Sequence, residues 1–88
     1  MSQNLVVINP KDNIGVVISE IKSGDRVSTE GGVEIIAKTD VPKNHKITIS
    51  TINKNDKVIK YGEIIGLATE NIDAGVWVHT HNLKAEDE

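Results

Sequence analysis

Two histidines stand one residue apart near the end of the chain, in Trp77-Val78-His79-Thr80-His81-Asn82, beside its single tryptophan. The third histidine, His45, lies earlier, in Val41-Pro42-Lys43-Asn44-His45-Lys46. Imidazole titrates near neutrality, so such a set can protonate a leaving hydroxyl, hydrogen-bond a carboxylate or ligate a divalent metal. Read as a strand, Val76 to Leu83 places Trp77, His79, His81 and Leu83 on one face and Val76, Val78, Thr80 and Asn82 on the other. Both histidines then emerge together. Two metal ligands one residue apart still need a third and a fourth, and only His45 remains among the histidines. The bland reading of the same residues is surface decoration on a half-exposed sheet, with His45 capping a corner.

The elements that must position these residues are bounded by composition. A chain of 88 residues suits one small domain, which buries about 60–65% of the surface its unfolded form exposes. With 38% apolar and 26% charged residues the composition is that of a folded globular domain. One Trp, one Tyr and no Phe leave Val, Ile and Leu to fill the interior, which favours strands. The absence of cysteine removes disulfides, thiolate catalysis and cysteine-held zinc or iron–sulfur sites. A net charge of −3 with few aromatics argues against nucleic acid as a partner. The first apolar run, Leu5 to Ile8, has no basic residue before it and is too short for an export signal or a membrane span. The expectation is a cytoplasmic protein with no membrane partner.

Turn residues divide the chain into short strand-like runs: Leu5 to Ile8, Ile14 to Ser19, Arg26 to Glu30, Val33 to Lys38, His45 to Thr51, Lys57 to Tyr61, Ile64 to Thr69 and Val76 to Leu83. Gly31-Gly32 predicts a two-residue hairpin loop of type I′, and Tyr61-Gly62-Glu63 a tight turn. No window keeps a helical period for three turns, so at most one short helical turn is expected. Residues 1–83 read as one all-β domain and 84–88 as a charged tail.

Four corners share one frame. Ile21 to Val27, Val41 to Ile47, Ile52 to Val58 and Ile72 to Val78 each carry an aliphatic anchor, Gly or Asn at the fourth place, and Val or Ile at the seventh. Gly and Asn enter the left-handed region most readily, so each copy can turn sharply between two buried anchors. The starts, at 21, 41, 52 and 72, lack the fixed period of a solenoid.

These motifs resemble the SAF-type domain, a compact β-clip fold, in the version found at the N-terminus of altronate and galactarate dehydratases or as a separate small subunit of related lyases. The resemblance is carried by Asp12-Asn13-Ile14-Gly15-Val16, by Val41-Pro42-Lys43-Asn44-His45-Lys46, by Val58-Ile59-Lys60-Tyr61-Gly62-Glu63-Ile64-Ile65-Gly66 and by His79-Thr80-His81-Asn82. Asn44 and Asn55 stand where that family more often has Gly and Val76 stands where Glu is usual, and a chain with no large catalytic domain after Leu83 is expected. The resemblance implies a small subunit that docks on a large catalytic subunit and completes its active site. His79, His81 and His45 are the expected catalytic residues. Lys60, Tyr61, Lys46 and Asn82 are the expected substrate-binding residues, toward the carboxylate of a small hydroxy acid. Fe²⁺ or another divalent metal is expected mainly on the large subunit, with His79 and His81 as candidate ligands from this chain. The implied reaction dehydrates a hexonate or hexarate to a 2-keto-3-deoxy acid. The small subunit of sulfolactate sulfo-lyase and a non-catalytic carbohydrate-binding or interaction module are the alternatives. Activity of the chain alone is not expected, because no carboxylate pair, nucleophile–base set or phosphate loop is present. Exposed edge strands make a homodimer plausible. Gly62 and Gly66 read as structural, and Trp77 as a core or interface residue.

Overall fold

Nine antiparallel strands and no helix are found among the described residues, which are 3–29 and 31–84 of this computed structural model. In chain order they are β1 (Leu5–Val6), β2 (Ile14–Val17), β3 (Arg26–Ser28), β4 (Glu34–Ile36), β5 (Lys46–Thr48), β6 (Lys57–Lys60), β7 (Glu63–Ala68), β8 (Trp77–Val78) and β9 (Leu83–Lys84). One sheet runs β1-β2-β5-β8, a second is the β3-β4 hairpin, and a third runs β6-β7-β9. The expected all-β class is what the chain adopts.

The four corner motifs make one and the same turn. Their fourth residues take positive φ: Gly24 at 95°, Asn44 at 69°, Asn55 at 74° and Gly75 at 91°. Each of those residues donates its N–H to a buried carbonyl, of Ala37, Val17, Ala68 and Thr48 in turn, at 2.7–2.8 Å. The same four buried residues donate back to the carbonyls of Asp25, His45, Asp56 and Val76 at 2.9–3.0 Å. Anchors pair across corners, Ile21 with Val41 and Ile52 with Ile72. All four anchors and all four seventh-place residues are buried.

An internal repeat explains the uneven spacing of the corners. Ile21 and Ile52 lie 31 residues apart, as do Val41 and Ile72, so the first and third corners are equivalent, and the second and fourth. The unit β2-β3-β4 recurs as β5-β6-β7, and β8 then stands to β5 as β5 stands to β2. The two hydrophobic clusters follow the same offset: Ile21, Val27, Ala37, Val41 and Ile47 form one, and Ile52, Val58, Ala68, Ile72 and Val78 the other. A two-unit tandem, not a solenoid, is what the corner spacing records.

Three local expectations are corrected. The β3-β4 hairpin closes on Thr29 and Val33, with the Thr29 N–H on the Val33 carbonyl at 2.9 Å, so its loop is three residues, 30–32, with Gly32 at φ 103°. The Thr29 hydroxyl accepts the Val33 N–H at 3.1 Å and favours this longer closure over a Gly31-Gly32 type I′ turn. Glu30, placed on the strand by sequence, lies outside the described residues. Consecutive positive φ instead occurs at Tyr61 (57°) and Gly62 (77°), between the paired residues Lys60 and Glu63, which is the type I′ geometry. The run Val76 to Leu83 is not one strand. It breaks after Val78 into a turn over His79–Asn82 and resumes as β9. Lys84, assigned to the tail by sequence, pairs with Leu67 in β9, and residues 85–88 lie outside the described residues.

Candidate functional site

Because the His79–Asn82 segment turns, strand alternation does not align the histidines; two other devices do. The first is Asn82, which is fully buried. Its Oδ1 accepts the His79 N–H at 2.9 Å, its Nδ2 donates to the Trp77 carbonyl at 2.9 Å, and its own N–H closes the turn on the His79 carbonyl at 3.1 Å. Both polar atoms of the amide bond backbone, so the residue expected to touch substrate is the clamp of the histidine turn. The second device is the pairing of β5 with β8, Ile47 opposite Trp77 and Lys46 opposite Val78, which brings the second corner beside the fourth. Trp77 is held from the other side by its N–H on the Thr39 hydroxyl at 3.0 Å.

Three imidazoles result, gathered around one indole. The His79 ring stacks on Trp77 at 5.4 Å between centroids and 10° between planes. His45 meets the Trp77 edge at 5.6 Å, and His81 lies 5.3 Å from it. His45 and His79 are 5.2 Å apart. The Trp77 indole N–H donates to His45 Nδ1 at 3.2 Å. Indole is a donor only, so this bond requires a bare Nδ1, and the proton of neutral His45 sits on Nε2. The ring nitrogens of His79 and His81 have no hydrogen bond among the described residues. His81 is exposed, while His45, Trp77 and His79 are half-buried. The arrangement offers a fixed donor at His45 Nε2 and two imidazoles free to exchange protons with a bound molecule.

A divalent metal finds no complete ligand set among the described residues of this chain. No group of three or more His, Asp or Glu residues among the described residues is placed to hold one. His45 Nδ1 is, moreover, committed to the indole.

Lys46, Lys60 and Tyr61 are not part of the histidine group. Ile47 belongs to the first hydrophobic cluster and Trp77 packs on it, whereas Val78 belongs to the second. Cross-strand partners share a face, so Lys46 sits on the Val78 side of the β5-β8 ribbon and His45 on the Ile47–Trp77 side. Lys60 instead lies over the Tyr61 ring, its Nζ 4.8 Å from the centroid. Burial, and then the neighbouring Lys60 charge, hold the Lys46 amine below the ordinary lysine range.

Sequence reasoning did not single out Asp12, which positions the Tyr61 turn. Its carboxylate is buried and accepts the N–H groups of Gly62 at 2.7 Å and Asn9 at 3.1 Å. Burial pushes its pKa up, but the N–H bonds from Gly62, Asn9, Tyr61 and Ile8 outweigh this and hold it below the ordinary value. The signal was the turn-forming string Asn9-Pro10-Lys11-Asp12, whose acid could only be aimed by the fold.

Repeated corners, an all-β chain and an imidazole-bearing turn define a small β-domain that carries a polar site on its corners. The chain belongs to the altronate/galactarate dehydratase SAF domain family, whose model matches residues 3–86. It is similar to altronate dehydratase of Bacillus subtilis (strain 168), 35% identical over 82 residues, and of Escherichia coli (strain K12), 37% identical over 79 residues. Those alignments cover 93% and 90% of this chain but 16% of each dehydratase, so the chain spans about a sixth of these relatives. It is also similar to (2R)-sulfolactate sulfo-lyase subunit alpha of Chromohalobacter salexigens, 30% identical over 98% of both chains.

Proposed function

We propose that this chain is a SAF-domain subunit of a lyase acting on small hydroxy acids, and that it completes the active site of a separate large subunit. The observation that carries the reading is the convergence of His45, His79 and His81 on Trp77. A sugar-acid dehydratase takes a proton from the carbon beside the carboxylate and expels the neighbouring hydroxyl as water. In this reading His45 Nε2–H hydrogen-bonds the substrate, a base on the large subunit takes the proton from the carbon beside the carboxylate, and His79 or His81, as an imidazolium, gives its proton to the departing hydroxyl as the carbon–oxygen bond breaks. Fe²⁺ or another divalent metal is assigned mainly to the large subunit, with His79 and His81 as candidate ligands from this chain. A hexonate or hexarate is the proposed substrate, and the cytoplasm the proposed location. No helix among the described residues is long and apolar enough to cross a membrane.

The similarity to sulfo-lyase alpha subunits favours a second substrate, sulfolactate, handled by the same division of labour. One experiment separates the readings. The chain is co-expressed with any reading frame beside its gene that encodes a large lyase subunit, and assayed for 2-keto acid from altronate and galactarate and for sulfite from sulfolactate. The expected result is a complex whose activity needs both chains. No complex, or equal activity without this chain, would leave the non-catalytic module.

A further inference from the structure

Every strand edge among the described residues is protected except one. On the outer edge of β3, Asn4 gives its N–H to the Ser28 carbonyl at 3.2 Å and its Nδ2 to the Arg26 carbonyl at 3.1 Å, and its Oδ1 accepts the Ser28 N–H at 2.9 Å. Asn13 makes the same three bonds on β6, to Ile59 and Lys57, which stand 31 residues after Ser28 and Arg26. At β8 the outward Trp77 N–H and carbonyl are taken by the Thr39 hydroxyl and the Asn82 amide. The Gly75 corner closes on β4, with the Lys38 N–H on the Gly75 carbonyl at 2.7 Å, and Glu34 puts a charge on that strand. β9 covers β7 and itself carries the exposed Lys84. Caps, charges and covering strands are the usual means of keeping a sheet edge from pairing.

The edge formed by β1 has none of these. β1 ends the first sheet on the side away from β8, with β2 as its only strand neighbour. The Asn4 carbonyl accepts the Ile18 N–H and Val6 lies opposite Val16, so the even positions face β2 and Val7 turns its N–H and C=O outward. Neither Val7 group has a partner among the described residues. Leu5 to Ile8 carries no charge and no proline. Val6 and Ile8, two residues apart in this extended run, are 37% and 61% exposed. A groove of about 480 Å³ opens beside them, lined by Val6, Val7 and Ile8 and by Thr29, Gly31 and Val33 of the β3-β4 hairpin.

We propose that this edge pairs with the same edge of a second copy of the chain, residues 6–8 of each lying antiparallel about a two-fold axis at Val7. The Val7 N–H and C=O then exchange hydrogen bonds with those of Val7 of the second copy, and Val6 of each chain comes opposite Ile8 of the other. One patch meets itself, as a two-fold interface requires, and an uncharged strand brings no like charges together. The two four-stranded sheets become one continuous sheet. A second copy is the occupant, and not the large subunit proposed above, because that subunit must reach the histidine turn after β8, at the opposite edge of the same sheet. That choice alone rests on the lyase reading.

Sedimentation velocity of the full chain at concentrations from about 5 to 500 µM tests the pairing, with a reversible monomer–dimer equilibrium expected and a Kd on the order of 10–100 µM for so short an interface. Val6→Lys and Ile8→Lys, both at exposed positions, should each weaken dimerisation about tenfold or more. Ile36→Lys, at an exposed isoleucine of β4, should leave it unchanged. Should a lysine variant unfold, hydrogen exchange of the wild-type chain decides, since the Val7 amide must slow as the concentration rises through the Kd. A chain that stays monomeric throughout, a dimer that the Val6 and Ile8 variants leave intact or that Ile36→Lys weakens equally, or a Val7 amide that exchanges at one rate at every concentration would overturn the proposal. So would a Val7 amide protected only when a large lyase subunit is added, which would give the edge to that subunit. The sedimentation and exchange measurements on the chain by itself involve no lyase activity, so failure here and failure of the lyase reading are distinguishable.

Discussion

Asn82 shows how one residue can be read correctly by type and differently by role. As the end of a His-x-His-Asn string it looks like a polar partner for a ligand, yet every hydrogen-bonding group of its amide in use points to backbone. Asn82→Ala leaves the His79 N–H and the Trp77 carbonyl without partners in a buried place, at a cost of about 2–4 kcal/mol. Urea unfolding measures that loss, and a cost under about 0.5 kcal/mol would mean the clamp is idle. Asp12 gives a pH-dependent test. Its folded pKa lies below its unfolded value, so its contribution is complete above the ordinary carboxylate pKa and is lost as pH falls through the depressed one. Asp12→Asn should therefore be less stable than wild type at neutral pH, and the gap should close as pH falls below about 4. Thermal melts of both proteins from neutral to acid pH would show it. The histidine set was legible because imidazole is rare in this chain. Its geometry was not, because alternation along a strand and closure of an Asn-clamped turn can bring the same residues together.

At the level of elements, the corners were the most legible feature, since anchor, turn residue and second anchor all fall in a seven-residue window. The 31-residue repeat was written in the same spacing, but it becomes plain only when the bridges pair Ile21 with Val41 and Ile52 with Ile72. Hairpin geometry was less legible. Gly31-Gly32 carries the composition of a two-residue turn, but a nearby hydroxyl closes a longer loop, whereas Tyr61 takes a conformation that its own preferences oppose. Two glycines make a controlled comparison of what a corner requires. Gly24 and Gly75 have nearly equal φ, 95° and 91°, but an added Cβ meets nothing within 4 Å at Gly24 and the Ile36 carbonyl at Gly75. Gly24→Ala should cost about 1–2 kcal/mol, the penalty of left-handed backbone alone. Gly75→Ala should cost clearly more, because the carbonyl it strikes belongs to the neighbouring hairpin. Equal losses in denaturant unfolding would contradict the close approach.

For the whole molecule, the two hydrophobic clusters share the β5-β8 ribbon, with Ile47 in one and Val78 in the other. Folding should then be one cooperative transition. Ile21→Ala and Ile52→Ala, one in each cluster, should each cost about 2–5 kcal/mol and shift far-ultraviolet dichroism and Trp77 fluorescence together. Fluorescence unfolding ahead of dichroism in either variant would show that the halves melt separately. The ribbon also separates Lys46, on its Val78 side, from His45, on its Ile47–Trp77 side. That separation was not legible in sequence, because a linear chain does not disclose which face of a ribbon a side chain takes. The account rests on the imidazoles taking part in chemistry and not merely packing on an indole. Its most direct test is the turnover of the proposed complex with a large lyase subunit, comparing the wild-type chain with His79→Gln, which keeps a polar side chain in the turn. Loss of a positioned acid predicts a fall in kcat of about 10²–10⁴-fold with the complex intact. An unchanged kcat in an intact complex would contradict it.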